Sequence, residues 1–206
     1  MALIRNIQFI AAAAIAACVS FTAPALAEQP RHVRGAITEV TAAQVTVQTA
    51  AGKSEIVKLN DKSAVFVVAP TDFSAITQNK FVGITSVEKG GKRIAKEVHV
   101  FAESLRGLAE GHYPWDLETD ANMMTNANIG KVETVGNDRV LKLDFKGGEQ
   151  TISIPPDAIV VSFEKAGAAD MKVGAKVFII ATPAEGDAGS SAIAVVVGAN
   201  GMKPPM

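Results

Sequence analysis

Between positions 112 and 124 the chain gathers its only tryptophan, Trp115, its only tyrosine, Tyr113, one of three histidines, His112, and two of six methionines, Met123 and Met124. Glu110 and Asp116 add carboxylates, and Asn126 follows shortly after. Imidazole nitrogen and thioether sulfur suit Cu(I), so His112 with Met123 and Met124 makes a copper-type metal set. The flat faces of Tyr113 and Trp115 offer instead a platform for a peptide or a glycan. A third reading is mechanical. Tyr113, Trp115 and Leu117 would pack against neighbouring elements, Pro114 would stiffen the turn, and Asp116 or Asn126 would cap backbone amides. Connecting segments are ordinarily small and polar, so one holding the scarce large residues needs a reason. A ligand site or interdomain contact is therefore expected at His112, Tyr113, Trp115, Asp116 and Asn126.

Catalytic patterns are missing from the sequence. Nucleophilic catalysis needs a Ser, Thr or Cys beside a positioned base, and His112 is the only histidine near such a constellation. There is no Gly-x-Ser-x-Gly elbow, no GxxxxGK[ST] loop and no GxGxxG after a strand. An enzyme is not expected. His32 falls in a short N-terminal arm. His99 alternates with Val98 and Val100 in an expected strand, which would point it outward. Both read as surface histidines.

The compartment is read from the N-terminus. Arg5 precedes an apolar run over 7–21, and Ala23-Pro24-Ala25-Leu26-Ala27 supplies a small-x-small cleavage site. That is the anatomy of a secretory signal peptide over 1–27, giving a periplasmic or secreted product. Ile15-Ala16-Ala17-Cys18 also fits the pattern that precedes a lipid-modified cysteine, which would anchor the protein by acyl chains at Cys18. Cleavage after Ala27 removes the only cysteine, and with it any disulfide or thiolate ligand. It leaves 19 basic against 21 acidic side chains, interspersed along the chain. So weak a balance gives no footprint for nucleic acid, and no remaining apolar stretch is long enough to span a bilayer. The expected partner is a periplasmic protein or a small ligand.

The elements that would position the central residues read as one module written twice. At an offset of 95 residues, without a gap, Gly35 falls on Gly130, Val45 on Val140, Val57 on Ile152, Val65 on Val160 and Val82 on Val177. Each copy alternates polar with apolar residues in short runs, the first at 36–40, 44–49, 55–59, 65–68, 81–88 and 94–101. Residues 72–78 suggest one or two helical turns, matched by 168–171 in the second copy. Five or six strands in under 70 residues predict a small closed barrel, which removes exposed strand edges. The expected fold is all-β: two tandem small OB-like barrels at 35–101 and 130–197, each with one short helical turn. An arm at 28–34, a connector at 102–129 and a disordered tail at 198–206 complete the chain.

The run Asp170-Met171-Lys172-Val173-Gly174-Ala175-Lys176-Val177, and its weaker counterpart from Ile76 to Val82, resemble the step before the fifth strand in small exported OB-like β-domains of bacteria. The segment Leu105 to Leu117, followed by Met124-Thr125-Asn126, resembles a second segment of the same proteins. Most of these proteins have no characterised function, and many carry a metal-transporter permease label. The resemblance implies an exported tandem-barrel protein. The permease label does not suit a sequence without spanning helices, and its mention of metal is only a hint. The expected role is a non-enzymatic binding or scaffold protein of the cell envelope. The alternative is a copper-binding accessory protein.

Overall fold

A computed structural model describes residues 30–117, 121–183 and 189–206. The expected signal segment and Cys18 lie outside the described residues. The chain is all-β: thirteen strands join one hydrogen-bonded sheet, and the helical pieces among the described residues are 3-10 turns of three residues each. None of these is long and apolar enough to cross a membrane.

The strands form where side chains alternate with a period of two. In β1 (Arg31–Val40), β2 (Gln44–Thr49) and β3 (Ser54–Lys58), one face carries Val33, Ile37, Val45, Val47 and Val57, all fully buried. They are followed by β4 (Ala64–Pro70), β5 (Phe81–Lys89) and β6 (Lys92–Phe101). After β7 (Gly111–Trp115), the order recurs as β8 (Asn122–Val135), β9 (Asp138–Phe145), β10 (Gly148–Ile154), β11 (Ile159–Lys165), β12 (Lys176–Ala181) and β13 (Ser190–Gly198).

Residues 35–101 and 130–197 do not each fold on themselves as the tandem arrangement requires. Strands β1, β2 and β3 close a ring with β13 and β12, through β3–β13, β13–β12 and β12–β1 ladders. Strands β8, β9 and β10 close a second ring with β6 and β5. Each ring therefore takes three strands from one half of the chain and two from the other. The cause lies in β4 and β11. Strand β4 is apolar on both faces through Val65, Phe66, Val67 and Val68, and β11 buries Val160 and Val161 on its two faces. They pair antiparallel with each other, with Val68 opposite Phe163. Strand β4 also pairs with β13, and β11 with β6, so the two central strands join the rings edge to edge.

The offset of 95 holds for Asn79 with Gly174 and Lys80 with Ala175, but not between β1 and β8. Ile37 and Ile129 hold equivalent places: Ile37 exchanges backbone bonds with Gly174 and Ala175, and Ile129 with Asn79 and Lys80. They are 92 apart, so the coincidence of Gly35 with Gly130 is accidental. Three domain boundaries move too. The expected arm is part of β1, with His32 opposite Ile180. The connector ends earlier, because Met123, Met124 and Asn126 already belong to β8. The tail expected to be disordered packs down instead, and Met206 is 3% exposed within the core between the rings. Gly198 permits that descent, since a Cβ there would sit 1.8 Å from the Met202 carbonyl oxygen.

Candidate functional site

Each ring has its own aliphatic interior, one around Val45, Val47 and Ile179, the other around Ile84, Leu141 and Ile152. The space between the rings is filled differently. Phe66, Phe81, Phe101, Phe163 and Phe178 meet there, with Phe101 4.8 Å and Phe66 5.0 Å from the Phe163 ring. Within this aromatic cluster lies a cavity of about 200 Å³, walled also by Tyr113, Trp115, Met124, His99 and Asn126. Leu108 and Ile193, both partly exposed, also line it. A larger groove of about 840 Å³ runs past Glu88, Lys92, Arg93 and Asp138. Its charges of both signs make it an ordinary solvated surface.

Strand register builds the cavity wall. Across β8, β5 and β6, Asn126, Gly83 and His99 form one row, and Met124, Thr85 and Glu97 the next. Gly83 lets the first row close up. A Cβ there would lie 2.6 Å from Asn126 Oδ1 and 3.2 Å from His99 Nδ1. Asn126 Nδ2 donates to the Leu108 and Ala109 carbonyls at 3.2 and 3.1 Å, and to the Tyr113 hydroxyl at 3.2 Å. Two carbonyl acceptors fix which end of the amide faces the loop. They also hold Ala109 in the left-handed backbone region at φ 49°, where alanine is strained. Asn126 Oδ1 is left buried without a partner, as is Trp115 Nε1. Burial pushes the Tyr113 phenol up to about 12, so it stays protonated at neutral pH.

Strand β7 is hydrogen-bonded to β8 of the second ring, yet its side chains reach the first. Trp115 lies 4.6 Å from the His32 ring and 5.7 Å from Phe178. Next to it, the Asp116 carboxylate pairs with His32 Nδ1 at 2.6 Å and Arg34 Nη2 at 2.8 Å. Tyr113, Trp115 and Asp116 thus form a clasp from one ring to the other. Burial by itself would raise the Asp116 carboxyl, but hydrogen bonds from Arg34 and His32 and their charge outweigh it and hold it at about 2. A carboxyl depressed from 3.8 to about 2 stabilises the fold at pH values above 3.8, and that contribution disappears as pH falls towards 2. Solvent screening keeps it small at this exposed site. Acid titration from pH 5 to pH 2 should therefore shift Trp115 emission before global unfolding, and Asp116→Asn should abolish that early step. An unchanged acid profile in Asp116→Asn would dissolve the link.

Behind the cavity wall sits a polar pair that the sequence reading placed wrongly. His99 is not an outward residue: it and Glu97 are buried to within 2%. His99 Nε2 lies 3.2 Å from Glu97 Oε2, and Thr85 Oγ1 donates to Glu97 Oε1 at 2.5 Å. The two atoms at 3.2 Å face each other at an angle that does not make a hydrogen bond. His32 is likewise no free surface histidine, being locked between Asp116 and Trp115. The signal for His99 was present in Val98, Val100 and Phe101. A strand that is apolar at consecutive positions is covered on both faces.

The copper-type set is not assembled. Strand pairing places His112 opposite Thr125 and Tyr113 opposite Met124. His112 and Met124 therefore project from opposite faces of the β7–β8 pair, and only Met123 shares the His112 face. His112 Nδ1 is engaged with Thr125 Oγ1 at 2.8 Å, and burial together with the Arg93 charge pushes the imidazole below its ordinary range. Among the described residues no group of three or more His, Cys, Asp or Glu side chains converges at metal-binding spacing. Of the expected ligand residues, Tyr113, Trp115 and Asn126 are gathered on the cavity, while Asp116 is engaged with His32 and Arg34 and His112 faces away. No family model, no curated protein and no solved structure matches the chain.

Proposed function

We propose that this chain is an exported, non-enzymatic binding protein of the bacterial cell envelope, built on two OB-like modules that exchange strands. Its ligand seat is the cavity between the rings. The observation that carries the reading is the cavity itself. Ligand sites are concave and mostly apolar, with a few placed polar groups. Here about 200 Å³ stays open at the most aromatic point of the molecule. The pocket opens to the surface beside Leu108 and Ile193, which gives a small apolar guest a way in. The buried polar side chains do not suit nucleophilic catalysis. In a triad the base stands between nucleophile and acid, whereas here the Glu97 carboxyl stands between Thr85 and His99.

Xenon tests the cavity without presuming a ligand. With methionine methyl groups labelled, equilibration of the mature protein with xenon gas should shift the Met124 and Met206 resonances, both of which line the cavity. Ala194→Phe, which fills the space from β13, should suppress the shifts. Unmoved methyl resonances under several atmospheres of xenon would retire the reading.

A further inference from the structure

The cavity wall also indicates what kind of molecule fits. None of the described residues lining it is Asp, Glu, Lys or Arg. Among the described lining residues His99 alone could carry charge, and it stands beside the Glu97 carboxyl, so a charged ligand would lack a free counter-charge, which is strongly unfavourable to bury. The ligand must therefore be neutral. Flat side chains dominate the wall: Phe66, Phe101, Phe163, Phe178, Tyr113 and Trp115. Their offset and edge-on arrangements, with Phe101 and Phe163 inclined at 47°, leave faces and edges that another ring can continue. A volume of about 200 Å³ holds a single ring or a fused pair, not a long acyl chain or a sugar oligomer.

The polar groups add direction. Asn126 Oδ1 is an acceptor without a donor, fixed in that sense by the carbonyls that occupy its amide nitrogen. Trp115 Nε1 is a donor without an acceptor. Both residues form the wall, and a buried polar atom with no partner is costly to keep. A guest with one hydroxyl or ring N–H would supply the missing donor.

We propose that the cavity is a binding site for a small neutral aromatic molecule carrying one hydrogen-bond donor, of the phenol or indole class, with the donor directed to Asn126. This rests on the cavity being a ligand seat and extends it to a ligand class.

The test compares phenol, indole, anisole, toluene and benzoate by calorimetry and by Trp115 emission, the chain's only tryptophan. Phenol and indole should bind at least tenfold more tightly than anisole or toluene, which lack the donor. Benzoate should bind at least tenfold more weakly than phenol. Asn126→Leu should erase the preference, bringing the phenol-to-toluene affinity ratio from at least tenfold to about one. Because Asn126 also holds the Leu108–Ala109 turn, the phenol–anisole comparison on the unaltered protein stands as an independent arm. Equal affinity for phenol, anisole and toluene would overturn the ligand class while leaving an apolar seat intact. Failure of every ring compound together with xenon would overturn both.

Discussion

Replacing Phe163 by alanine should lower the stability of the protein by about 3–5 kcal/mol, as for other buried phenylalanines cut to alanine. Phe163 stands opposite Val68 in the β4–β11 ladder and beside Phe101 in the β11–β6 ladder. Its ring, on β11, touches Phe66 on β4 and Phe101 and His99 on β6, so its loss is felt on the strands either side of β11. The deletion opens onto an existing cavity, and the walls are β-strands pinned by ladders on each side, so little collapse can offset it. Urea unfolding followed by far-ultraviolet circular dichroism and by Trp115 emission should give coincident single transitions, because neither ring is complete without the other half. Val135→Ala, at an exposed position, should change stability by less than about 0.5 kcal/mol. A loss below about 1 kcal/mol for Phe163→Ala, or two resolved transitions, would show that the rings hold themselves up separately.

The second large effect is expected at the buried Glu97–His99 pair. His99→Leu leaves a carboxyl group 1% exposed with only the Thr85 hydroxyl as a partner. Removing one member of such a pair costs about 3–5 kcal/mol, whereas replacing both with apolar residues of similar size is often nearly neutral. Glu97→Leu with His99→Leu should therefore be more stable than His99→Leu alone by at least about 2 kcal/mol. A double-mutant cycle in urea reads this coupling directly. Additive losses, with the double variant the least stable of all, would mean that the two groups act independently. Should the double variant keep its fold, the phenol titration can be repeated on it, since His99 lines the cavity and Glu97 does not.

How the chain divides into strands was legible from alternation alone. The run 44–49 was expected as a strand and is β2, and 81–88 and 94–101 fall within β5 and β6. Alternation records which face of a strand is dry, but not which strand lies alongside. Nothing in Val65 to Val68 distinguishes a strand that turns back into its own ring from one that runs across to meet its counterpart. His99 was misread for a related reason. Alternation makes its valine neighbours the inward set, although a strand covered on both sides has no outward set. At the candidate site, the rarity of Trp115 and Tyr113 points to β7, whose side chains line the cavity and reach the first ring, and their packing role as a clasp follows from ordinary aromatic burial. The copper-type grouping failed because adjacent positions on a strand point in opposite directions, so Met123 and Met124 cannot both serve His112. Met206 carried no warning in composition, since a short Pro-rich end looks the same whether it is loose or tucked beneath Arg34.

The exchange of strands sets a timetable for folding. Strand β3 ends at Lys58, and its neighbour β13 does not begin until Ser190, roughly 130 residues later, so such distant pairings make folding slow. A chain threaded outwards from its N-terminus would present β1 to β3 as an open-edged meander long before β12 and β13 arrived to seal it. While that edge waits, the same two strands from a neighbouring molecule fit it equally well. Crowded molecules caught at this stage would link into swapped dimers or chains, and dilution during refolding would favour the monomer.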